Sequence, residues 1–142
     1  MAFFVDESEV YRYVGGVMRL AGSHPVVGPR LAEARTTLSL EVSQPDCEIT
    51  VVWGETNQVV VGPAALVPDV IFRMSGDDLD RFWRGQYDLL DGLARGDVAV
   101  SGRVSRVLKV VPHLQPMFPV YEALVRLKAP SAPVSPQAGR RA

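Results

Sequence analysis

Two histidines, one cysteine and a run of aspartates are the residues from which this chain would have to build a reactive centre. His24 and His113 lie 89 positions apart, each beside a proline, and neither has an acid or nucleophile spaced to complete a triad or a metal site. They read as exposed or structurally bonded side chains. Cys47 sits between Asp46 and Glu48, whose charges raise a thiol pKa and make a poor nucleophile. As the single cysteine it also cannot form an internal disulfide. Asp77, Asp78 and Asp80 could serve as paired acid-base groups, but they follow Ser75 into a helical pattern, where capping and the helix dipole account for them. Glycines never fall as Gly-x-Gly-x-x-Gly or Gly-x-x-x-x-Gly-Lys, so no phosphate cradle is written into the chain. The reading is of a protein that is not an enzyme and carries no metal or cofactor.

What remains is charge asymmetry and an apolar surplus. Residues 1–94 carry 7 basic and 14 acidic side chains, and residues 95–142 carry 8 and 2. Within the cationic third, Arg103, Arg106 and Lys109 share one side of a short helical pattern; they are either a solvated face or the residues that attract an anionic ligand end or, transiently, an anionic membrane. The net charge of −1 gives no reason to expect nucleic acid. Large apolar residues exceed what one face of a small sheet needs. Phe72, Phe82, Trp83, Leu93, Val107, Leu108, Met117, Phe118 and Tyr121 are therefore the candidate lining of an apolar pocket, with plain core as the alternative for each. Met117 and Phe118, in a proline-interrupted segment, are its candidate lid.

The elements that must hold these residues follow from periodicity and punctuation. A chain of 142 residues, 47% hydrophobic and 22% charged, suits one globular domain, expected over 1–128, which buries about 68% of its unfolded surface without disulfide or metal. Asp6 and Glu9 form a capping-box pattern, and Val10, Val14, Val17 and Ala21 recur at helical spacing, which predicts a helix over 7–21. Residues 22–35 read as turn-rich. Alternation predicts strands over 37–42, 49–53, 59–61 and 70–74, the second and third as a hairpin. Ser75 caps a helix that Gly85 stops; Leu89, Leu90 and Leu93 make a short helical face ended by Gly96; and Val98 and Val100 make a fifth strand. A helix over 104–111 gives way to the proline-rich 112–119, which no regular helix crosses unbroken, and a last helical face carries Tyr121, Leu124 and Val125. The Pro/Ala/Ser-rich stretch 129–142 reads as disordered. No apolar run nears the roughly 20 residues of a membrane span and residues 1–9 are acidic, so a reduced, cytoplasmic protein is expected.

Residues 69–102 carry a family resemblance. A strand that opens on Asp69-Val70 and ends in Met74-Ser75, a helix with the aromatic pair Phe82-Trp83, the Gly85 stop, a short leucine helix, and Gly96 and Gly102 around a final strand resemble the sterol carrier protein 2 (SCP2) sterol-binding domain. Gly62 after Val59 to Val61 fits the same pattern. The resemblance implies an α+β fold of one five-stranded, mainly antiparallel sheet covered by helices, with an apolar tunnel between them, and non-enzymatic binding and transfer of a fatty acid, fatty acyl-CoA, sterol-like or polyketide-like molecule. The proline-rich 112–119 segment departs from the family pattern, and Arg140-Arg141-Ala142 is not a peroxisomal tripeptide. Arginine outnumbers lysine 13 to 2, a usage that points to a bacterial stand-alone member of the family. Burying about 400 Å² of guest at about 25 cal/mol per Å², less about 4 kcal/mol or more for association, puts the expected affinity near the micromolar range. The alternatives are an enzyme or enzyme partner of lipid metabolism, with His113 or Tyr121 moving a proton, and an interaction module or homodimer that docks through the Met117–Phe118 segment.

Overall fold

The computed structural model describes residues 2–128; the stretch 129–142, expected to be disordered, lies outside the described residues. The first helix, α1 (Glu7–Ser23), begins as its capping pattern demands: Asp6 accepts from the Glu9 N–H at 3.1 Å, and Glu9 reaches back to the Val5 N–H at 2.9 Å. Its buried face is the predicted valine stripe, widened by Tyr13 and Met18. The turn-rich reading of 22–35 needs correction, because α2 occupies Val27–Ala34. Pro29 stands in its first turn, where a missing N–H has no carbonyl to leave unpaired. The start is capped from outside: His24 Nδ1 accepts from the N–H groups of Val26 and Val27, both at 3.0 Å. This is the structural task of a histidine that spacing left without one.

Five strands follow: β1 (Thr36–Ser43), β2 (Cys47–Trp53), β3 (Gln58–Val61), β4 (Val70–Ser75) and β5 (Ala99–Gly102). They form one sheet in the order β3-β2-β1-β4-β5, antiparallel throughout except for the central parallel pair β1·β4. Register places Leu38 beside Val70, Leu40 beside Phe72 and Val42 beside Met74, so period-2 alternation turns these side chains toward one face. The opposite face carries the Glu41–Arg73 pair at 2.8 Å, two directly registered residues whose exposed charges contribute little. At the β5 end, Gly102 has φ +94°, and a Cβ there would lie 2.1 Å from the Asp69 carbonyl oxygen. Gly102→Ala is therefore expected to cost about 2 kcal/mol, read as a lower urea midpoint at unchanged m-value.

The helices cover the apolar face. Ser75 caps α3 (Gly76–Trp83) by accepting from the Asp78 N–H at 3.1 Å. Asp88 and the left-handed Gly96 bound α4 (Leu89–Arg95), and α5 (Val104–Val110) runs into a 3-10 helix (Val111–Met117). Pro112 and Pro116 remove donors that an α-helix would need, and the tighter turn results. Pro119 then falls in the first turn of α6 (Phe118–Val125), where it is tolerated. Among the described residues no helix is long and apolar enough to cross a membrane.

Candidate ligand-binding site

Between the sheet and its helical cover lies a void of about 50 Å³. The sheet contributes Leu38 and Leu40 from β1, Trp53 from β2, and Phe72 and Met74 from β4. The cover contributes Met18 and Ala21 of α1, Leu31 of α2, Leu79, Phe82 and Trp83 of α3, and Leu89 of α4. Val107 and Val110 of α5 complete it with Val111 and Leu114 of the 3-10 helix. No charged side chain is among them. All are buried except Phe82, Leu89 and Val111, which are half-buried and mark the rim. The space is narrow, below the 150 Å³ or so of a cavity that admits benzene, and leaving it unfilled costs about 1 kcal/mol.

Four of the nine candidate lining residues reach this void: Phe72, Phe82, Trp83 and Val107. The others lie elsewhere. Met117 and Tyr121 are 1% and 0% exposed and belong to solid core, so Met117 is no exposed lid. Phe118 stands behind the lining, edge-on to Phe82 at 6.0 Å and to Trp83 at 6.3 Å between ring centroids. Leu93 is half-buried against the core, Leu108 is half-buried on α5, and neither lines the void. Periodicity says which residues turn inward but not which of two inward directions they take. Among the lining residues missed are Met18 and Ala21 of α1 and Leu31 of α2, remote in sequence from the candidates; the apolar stripe of α1 was the signal for the first two.

The looser part of the cover is α4, in which only Gly92 is buried and Leu90 is 63% exposed. The chain on both sides of it passes through glycines with positive φ, Gly85 at +75° and Gly96 at +83°. This segment is built to be displaced more cheaply than the 3-10 helix, whose Leu114 and Met117 are anchored in the core.

Of the cationic candidates, Arg106 and Lys109 line a polar cleft of about 350 Å³ together with Arg30, Arg35, His113 and one acid, Glu33. Arg103, at the start of α5, is exposed and outside it. Arg106 Nη1 donates to the Arg35 carbonyl at 3.0 Å, and Arg30 pairs with Glu33 at 3.6 Å. Val110 lines both the cleft and the void, which makes them neighbours.

The reactive types are kept apart. The three aspartates of α3 do separate structural work, and capping is not the task of Asp80. Asp77 accepts from the Phe3 N–H at 2.9 Å, Asp78 pairs with Arg81, and Asp80 is a buried tie between helices. It accepts from Tyr121 Oη at 2.7 Å and from Arg84 Nε at 2.9 Å. Burial first, then the Asp80 carboxylate, drives the Tyr121 phenol far above its ordinary range, so it holds its proton. His113 is exposed at the cleft. The Cys47 thiol is pushed up to about 11, mainly by burial and then by Glu7 and Asp46, so it is a thiol at neutral pH.

No protein-family model and no curated protein matches the chain. Solved structures match its fold. The sterol carrier protein domain 2 of Helicoverpa armigera superposes with a TM-score of 0.64 at 13% identity, over 78% of this chain and 89% of that one. For the apo sterol carrier protein 2 of Yarrowia lipolytica the values are 0.59 and 15%, over 72% and 89%. The palmitated SCP2L2 of Aedes aegypti gives 0.56 and 19%, over 72% and 91%.

Proposed function

We propose, on the premise that this chain has the fold of sterol carrier protein 2 domains, that it binds and releases a hydrophobic ligand without chemistry of its own. The observation that carries the reading is an uncharged void bounded by apolar side chains from both the sheet and its helical cover, beside a short helix held between two glycines. A mosquito protein of the same fold was solved palmitated. A ligand-sized pocket has about 300–1,000 Å³, so a guest enters here only by moving the cover outward. Displacement of α4 provides the opening, and Met18 and Met74 adapt to the guest's shape. The dispersal of His113, Cys47 and Tyr121 supports a carrier over an enzyme.

The test is a titration with decane, long-chain alcohols, ketones and fatty acids, read by Trp53 and Trp83 fluorescence and by hydrogen exchange. Saturable binding with slower exchange across Leu89–Arg95 is expected. No binding of any of these probes, with exchange unaltered, overturns the proposal.

A charge on the ligand has to stay outside, because no lining side chain compensates it. The neighbouring cleft of Arg30, Arg35, Arg106 and Lys109 is where an anionic end is held. Reversing Arg106 and Lys109 to Glu together is expected to weaken an acyl-CoA or a fatty acid about tenfold at low salt, since exposed charges contribute up to about 1 kcal/mol each. Decanol affinity stays within twofold. Equal affinity for the anionic ligand in both proteins removes the cleft from the site.

A further inference from the structure

Among the described residues, Trp83 Nε1 is the one buried side-chain nitrogen or oxygen without a hydrogen-bond partner. The residue is 2% exposed and belongs to the lining of the void. A buried donor left unmade costs about as much as a hydrogen bond yields, and a phenylalanine here would fill much of the same space without that cost. Nearby polar groups are committed elsewhere: Tyr121, whose ring lies 6.4 Å from that of Trp83, donates to Asp80, and Asp80 also receives Arg84. A water is a poor partner, because it needs two to four polar neighbours and this lining is apolar apart from the indoles of Trp53 and Trp83.

We infer that Trp83 is a specificity-determining residue whose indole N–H donates to an uncharged acceptor oxygen on the buried part of the ligand, so that the site selects a neutral ketone, ester or alcohol over a bare hydrocarbon. The inference rests on the carrier reading and adds the chemical class of the guest. A carboxylate is excluded from this position, since the lining offers it neutral indole donors and no cation.

Three chain-matched probes test it: decane, 2-decanone and decanoate, each titrated into the unsubstituted protein and Trp83→Phe. Trp83→Phe is expected to weaken 2-decanone about tenfold and decane less than twofold. In the unsubstituted protein, the Trp83 indole ¹H–¹⁵N resonance, assigned with Trp53→Phe, is expected to move downfield with 2-decanone and not with decane or decanoate. This second readout does not depend on how well Trp83→Phe folds. Equal weakening of decane and 2-decanone overturns the inference alone. So does an indole resonance held upfield by the Phe82 or Phe118 ring in every complex, which marks an N–H committed to an aromatic face. A downfield shift with decanoate overturns the neutral class. Absence of binding by all three probes overturns the carrier reading itself.

Discussion

Asp80→Ala is expected to lower stability by about 3–5 kcal/mol, the largest single loss foreseen for this protein. Asp80 is a buried carboxylate that joins two elements: it sits on α3, holds Arg84 at the end of that helix, and accepts from the phenol of Tyr121 on α6. Its removal leaves Tyr121 Oη, in a residue with no exposure, without an acceptor and Arg84 without its nearest charge. Glu122 lies 3.7 Å from Arg84 and recovers only part of that charge compensation. Tyr121→Phe removes one bond and leaves the Asp80–Arg84 pair, so about 1–2 kcal/mol is expected. Thermal melts of both variants check this, at roughly 3 °C per kcal/mol for a chain of this size. Similar, small losses in the two would show that Asp80 is not the joint between α3 and α6.

Leu114→Ala is expected to cost about 3 kcal/mol in the free protein and to be repaid by ligand. Leu114 is 5% exposed on the 3-10 helix and faces the void, so truncation enlarges a space that already exists. A hydrophobic guest at a hundred times its Kd stabilises by about 2.7 kcal/mol, near 8 °C here. In Leu114→Ala the guest no longer has to push the cover as far, so its effect on Tm should exceed that in the unsubstituted protein. Leu124→Ala on α6, away from the void, has no such rescue. An equal ligand effect in both variants would mean that the void is ordinary packing imperfection.

The two substitutions also separate what could be read from the residues and what could not. Strand and helix positions were legible where patterning is strong: the valine stripe of α1, the alternation of β1 and β4, Ser75 and Gly96 as caps. The helix α2 was not, because its capping acceptor is a histidine ring two and three residues upstream of the donors, and Pro29 mimics a turn signal. At the site, Phe82 and Trp83 share the α3 stripe with Leu79, and all three line the void. Met117 and Tyr121 show equally apolar periodicity, yet they are buried in the core without lining the void.

The sequence by itself determined the secondary elements other than α2, the presence of one apolar face to cover, and the lack of spacing for a reactive centre, because these depend on neighbours within a few positions. Only the tertiary structure decided which inward side chains meet an empty space and which meet each other. Such choices depend on distances between residues remote in sequence, such as Ala21 and Leu114 at the void or Asp80 and Tyr121 at the buried joint. They include the stranded Trp83 N–H, since the lack of an acceptor is a property of everything that packs around the indole.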